Sequence, residues 1–271
     1  MRVPDSRVFQ IVVLVAVTAI FAVPAHAVVF TNASVKGSYS FTLNRWIADS
    51  TLSQEGHLGV VTFDGAGNAT ASFTSMKDGV LSTGTATGTY AINANGTGTV
   101  SLTGAGGTVQ FAMVLNSTVA KVAQNIQLLL TNDATNGVTS GTAVLQSSTA
   151  ATYNAASIKG IFGFQLNMWA ADVSLSRQGI VGLFNFNGAG KVTASFTQMK
   201  AGVLSTGTGT GTYTMNADGT GAISLTVSTG GTANLVMALN TVAAGHPKGL
   251  QLLVTPGTGN NSVESGVALK Q

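Results

Sequence analysis

"FNGAGKVTASF", residues 186–196, sets Gly-Ala-Gly-Lys behind an apolar run and admits two readings. A phosphate-binding loop must open a helix, whose first N–H groups and positive end receive the anion. A hairpin must instead join two strands. The residues after the lysine are Val-Thr-Ala-Ser-Phe, apolar and polar in alternation, and Asn-Gly with a second glycine supplies the positive φ that a tight turn demands. The matching stretch "FDGAGNATASF", 63–73, has Asp64 for Asn187 and Asn68 for Lys191, so neither phosphate binding nor calcium ligation carries from one to the other. The stretch is a turn, and its surroundings are β-structure. "NANGTG" (93–98) and "NADGTG" (216–221) read the same way.

The two stretches belong to a duplication. Sliding the chain by 123 residues aligns 34–103 with 157–226 at 43 identities in 70 positions. The match continues through "FAMVLN" with "LVMALN", "IQLLLTN" with "LQLLVTP" and "SGTAVLQ" with "SGVALKQ". A repeat this long is a whole domain, not a solenoid unit. The expected organisation is a signal peptide over 1–27, a first domain over 28–147, a Ser/Thr/Ala-rich linker over 148–156 and a second domain over 157–271.

Within a copy the apolar period is two. Tyr39, Phe41 and Leu43 alternate with Ser40, Thr42 and Asn44, and Val109, Phe111, Met113 and Leu115 alternate with Thr108 and Gln110. Runs between turn signals predict eight strands, near 37–44, 57–64, 69–76, 84–92, 97–103, 108–116, 124–131 and 138–146. Eight short antiparallel strands with one apolar face predict a closed up-and-down β-barrel, written twice, with two-sheet β-sandwiches as the alternative. The second face is Thr, Ser, Asn and Gln, the reverse of a membrane barrel's outer wall.

Residues 1–27 have the form of a secretory signal: Arg2 and Arg7, an apolar run from Val8 to Val23, then Ala25-His26-Ala27 as a small-x-small cleavage site. Cleavage after Ala27 predicts export to the periplasm or beyond, with no insertion in the membrane afterwards. The chain has no cysteine, so stability must come from packed cores. Of 12 basic and 9 acidic residues, Arg2, Arg7 and Asp5 fall in the signal, leaving 10 and 8. These are scattered singly, which argues against a nucleic-acid partner.

Little in the sequence suggests chemistry. After the signal there are two histidines, His57 and His246, and Ile180 stands at the position matching His57. A histidine-based triad or metal site would therefore exist in one copy only. Carboxylates common to both copies reduce to Asp49 and Asp172, one per domain, which leaves a two-carboxylate mechanism without its second member. No catalytic residue, metal or cofactor is predicted.

If turns alternate between the barrel ends, the hairpins 64–68 and 93–96 close one end. The connections 45–56, 77–83, 104–107 and 132–137 form a mouth at the other. That mouth would hold Asn44, Trp46, Asp49, Met76 and Lys77, and in the second copy Asn167, Trp169, Asp172, Met199 and Lys200. These form a candidate ligand site above an apolar interior, with the alternative that the tryptophans plug the barrel as core. Gly59 and Gly182, on the inward rows, would either leave room for a ligand or relieve curvature.

The motifs "KGSYSFTL", "VTFDGAGNAT", "GTGTYTMNADGTG" and "LQLLVTPGTGNNSVESGVALKQ" resemble a family of secreted, Gly/Thr-rich bacterial β-barrel repeat proteins. In outline each domain also resembles the lipocalin or calycin type of barrel, which implies a carrier of small ligands, although that family's Gly-x-Trp is Gly37-Ser38-Tyr39 here. Three functions are expected. The first is a secreted, non-enzymatic module binding a small apolar or amphipathic ligand in the barrel. The second is a structural or surface-interaction protein with filled barrels that meets extracellular matrix or other copies. The third and remotest is a small-barrel enzyme.

Overall fold

The computed structural model describes residues 29–47, 54–77, 79–133, 137–147, 151–171, 175–243, 246–255 and 262–271. The signal segment and its cleavage site lie outside them. The first copy forms β1 (Lys36–Ile47), β2 (Gln54–Asp64), β3 (Asn68–Lys77), β4 (Val80–Ile92), β5 (Thr97–Gly104), β6 (Gly107–Val119), β7 (Val122–Leu130) and β8 (Gly137–Ser147). The second forms β9 (Lys159–Ala171), β10 (Leu175–Asn187), β11 (Lys191–Lys200), β12 (Val203–Met215), β13 (Thr220–Val227), β14 (Thr232–Ala243), β15 (His246–Thr255) and β16 (Ser262–Lys270). Each strand pairs antiparallel with its neighbours, and each set closes on itself: Phe41 of β1 faces Ala143 of β8, and Phe164 of β9 faces Ala268 of β16. The fold is all-β, two closed eight-stranded barrels in tandem.

"FDGAGN" is a turn, as its composition requires. Asp64 Oδ1 accepts from the backbone N–H groups of Ala66, Gly67 and Asn68 at 2.7, 2.9 and 2.9 Å. Those bonds hold its carboxyl at about 2, led by the bonds from Asn68. Asn187 makes the same turn without the charge, accepting from Ala189 and Lys191.

Two of the four connections expected to be long are not. Lys77 pairs with Val80 and Gly104 with Gly107, so only two residues separate β3 from β4 and β5 from β6. Ladder bonds run on through Val80–Thr83, beyond the apolar alternation that marks the predicted strand, and Gly79 adopts the positive φ (76°) that reversal needs.

The inward rows pack against one another within the barrels. Tyr39, Phe63 and Tyr90 make an edge-to-face series with centroids 5.6 and 4.8 Å apart. Phe162, Phe186 and Tyr213 repeat it at 5.5 and 5.0 Å. Below each series the chain entering the barrel is strapped across the end. Tyr90 Oη donates to the carbonyls of Asn32 and Val35, and Tyr213 Oη to those of Ala155 and Ile158, at 2.8–3.0 Å. Tyr153, Ala155 and Ile158 thus pack on the end of the second barrel. Gly59 leaves no room for a ligand: a Cβ there would run into the carbonyl oxygen of Ser72 and lie 2.7 Å from Phe73 Cα. The glycine lets β3 approach at a curved corner.

Candidate functional site

Period two decides where the predicted residues point. In β1 the odd positions Tyr39, Phe41 and Leu43 are core, so Asn44 and Trp46 face outward. The structure therefore sets both on the outer wall near one end of the barrel, not around a mouth opening into the lumen. Met76 also faces outward, buried with Leu58 against Ala238, Leu253 and Val263 of the second barrel. Lys77 and Lys200 are exposed at the ends of β3 and β11. Asn167 is exposed on the matching wall of β9, and Trp169 holds the matching strand position, paired with Val263 across the ladder. Asp49 and Asp172 lie outside the described residues.

The outward wall of β1 instead lines a crevice between the barrels, with a volume of about 760 Å³. Thr42, Asn44, Trp46 and Gln54 come from the first barrel, and Gln165, Asn167, Gln251 and Ser265 from the second. Two hydrogen bonds cross it: Thr42 Oγ1 to Gln251 Oε1 at 3.0 Å, and Ser265 Oγ to Asn44 Oδ1 at 3.0 Å. These amides and hydroxyls both donate and accept, and the charged members of the lining, Arg45 and Glu55, are paired with each other. Trp46 is 41% exposed at its edge. Gln54, buried beside it, leaves both its amide atoms without a protein partner.

A second cluster, missed by the sequence reading, stands at the end of the first lumen. Arg45 follows Leu43 on the inward row and grips Asp133 with Nε and Nη2 at 3.0 and 2.9 Å, while Nη1 donates to Glu55 Oε2 at 3.0 Å. Burial pulls the guanidinium's pKa down, but the bonds to the two carboxylates outweigh it and the net direction is up. Glu55 Oε1 accepts from Ser75 Oγ at 3.1 Å and lies 3.4 Å from His57 Nε2. Burial lowers the His57 pKa, Glu55 opposing and Arg45 adding to the fall. A nucleophile needs its base beside it, with the acid behind the base. Here serine and histidine both lean on one carboxylate oxygen, which suits an ion-pair cap. Among the described residues no three His, Asp or Glu side chains gather as a metal site.

The second barrel replaces this cap. Gln178 and Gln198 stand where the first has Glu55 and Ser75, and their amides meet at 3.4 Å. Glu264, at the position of Thr139, faces inward, nearly fully buried, with Oε1 unpartnered; burial alone raises its pKa to about 7. Glu55, Asp133 and Glu264 each occur in one copy only, so a comparison of the two copies does not single them out. The signal that could have found Arg45 and Glu55 is their odd numbering, in phase with the core rows of β1 and β2.

No family model and no curated protein matches the chain. Among solved structures it is similar to a protein of unknown function from the DUF3598 family of Nostoc punctiforme, at 10% identity over 87% of this chain and 96% of that one. The TM-score of 0.25 is too low to carry fold or function from one to the other.

Proposed function

We propose that the protein is an exported, non-enzymatic scaffold that acts through its outer walls, its two barrels being filled rigid bodies. One observation carries this: the inward rows pack side chain on side chain, from Tyr39 to Leu145 and from Phe162 to Ala268, while a cavity of about 760 Å³ lies between the barrels. A ligand held in the lumen would need space that Phe63, Phe111, Phe184 and Phe186 occupy. Export rests on the signal pattern of residues 1–27. Sequencing the amino end of the protein recovered outside the cytoplasm should begin at Val28. Native mass spectrometry of that material, with organic extraction, tests the filled barrels. The expected mass carries no apolar adduct, and a lipid or fatty acid released on denaturation overturns the reading.

The crevice favours a second reading, a site for an uncharged polar ligand such as a neutral oligosaccharide. Its amides suit hydroxyl groups, and the face of Trp46 suits the polarised C–H bonds of a sugar ring. Titration of tryptophan fluorescence with neutral oligosaccharides should show saturation that Trp46→Ala abolishes and added salt leaves unchanged. No saturation with any of them would sink this reading.

A further inference from the structure

We propose that copies of this protein assemble head to tail, the β9–β11 wall of one copy docking on the β6–β8 wall of the next through the contact that already joins the two barrels within a chain. This rests on the reading that the outer walls do the work. The intrachain contact is heterologous: β1–β3 and the C-terminal half of β8 on the first barrel meet the wall of β14–β16 on the second, and these are different faces of the repeated domain. Each barrel therefore keeps part of a face outside that contact, Gln127, Leu129, Val138 and Ser140 on the first and Val181 and Met199 on the second, and these parts are the complementary pair.

Exposure shows it position by position. Leu253 and Val263 are 0% and 8% exposed, whereas Leu129 and Val138, their equivalents in the first copy, are 48% and 60% exposed. Leu58 and Met76 are 1% and 0% exposed, whereas Val181 and Met199 in the second copy are 55% and 45% exposed. Two exposed apolar patches on a polar protein mark interaction surfaces.

The polar partners are retained as well. The Thr42–Gln251 bond becomes Gln165 with Gln127, and Asn44–Ser265 becomes Asn167 with Ser140, all four exposed and able to pair. Gly56 is bare because Leu253 Cδ1 and Val263 Cγ1 lie 2.7 Å from where its Cβ would stand. Gly179 is equally bare with nothing within 4 Å, so Leu129 and Val138 of a second copy could seat there. A contact between two different faces does not close on itself after two copies, so it propagates.

Sedimentation velocity on the exported chain, from dilute solution up to about 1 mM, the weak end of protein affinities, tests this. The wild type should give a concentration-dependent ladder beyond the dimer. Leu129→Glu and Val181→Glu, both on exposed positions and so expected to fold with unchanged thermal midpoints, should each be monomeric alone. Mixed, they should form a one-to-one pair and nothing larger, because one good face remains on each. A monomeric wild type, a ladder that stops at two, or either variant associating alone as the wild type does overturns the proposal. A lipid found in the barrels would overturn the reading beneath it instead, and monomers with empty spectra would leave that reading standing.

Discussion

Thr42 and Gln251, 209 residues apart in the chain, share a hydrogen bond of 3.0 Å buried between the two barrels. Thr42→Val keeps the shape and removes the donor, leaving Gln251 Oε1, in a side chain only 3% exposed, without that partner. The expected cost is about 1–2 kcal/mol. It is read from chemical denaturation of the full chain against the wild type.

Glu264 gives stability a pH dependence of unusual sign. Its folded pKa of about 7 lies above the ordinary value of 4.5, so the folded state holds a proton that the unfolded state has released. Its contribution is most favourable below about 4.5, declines as pH rises towards about 7, and is flat above. Glu264→Gln should remove that slope and stabilise the protein at pH 8 by on the order of 2 kcal/mol. Denaturation midpoints at pH 5 and pH 8, compared for both proteins, decide it; equal slopes would refute the buried carboxyl.

Arg45→Met copies the second barrel's residue into the first, but leaves Glu55 and Asp133 facing each other without their cation. The loss should be about 2 kcal/mol, reduced from that of a fully buried pair because the side chains are 8–19% exposed. Adding Glu55→Gln should recover part of it. Removing the guanidinium also removes a charge that lowers the His57 pKa, so the histidine should titrate at higher pH in Arg45→Met. Proton NMR of the imidazole measures this directly.

Gly59→Ala puts a methyl group into the backbone of β3 at Ser72 and Phe73. Since the obstacle is main chain, the strands must separate, and a loss of about 3 kcal/mol is expected. Gly179→Ala meets nothing within 4 Å and should be near neutral in the dilute monomer. Comparing thermal midpoints of the two variants separates close approach from simple flexibility.

The barrels were legible because their causes are local. Alternation at Tyr39, Phe41 and Leu43, and the Asp64 and Asn187 turns, depend on near neighbours and on a backbone that reverses side chains every residue. The extent of the strands was less legible, since ladder bonds through Val80–Thr83 form between backbones whatever the side chains are. The ion-pair cap was hidden by the duplication itself: Arg45, Glu55 and Asp133 have no charged counterparts in the second copy, so comparing copies filtered them out.

By itself, the sequence determined two all-β domains of one pattern, their turns and their inward rows, because each follows from spacing and turn chemistry. Only the tertiary structure decided that Asn44 and Trp46 face the second barrel, that Leu58 and Met76 are covered while Val181 and Met199 are open, and that Glu264 is buried without a partner. The first two depend on which wall of one barrel meets which wall of the other, and the last on the closure of the second barrel's lumen. Two copies with nearly the same sequence offer the same walls, and only their packing assigns one to the inside and leaves the other free.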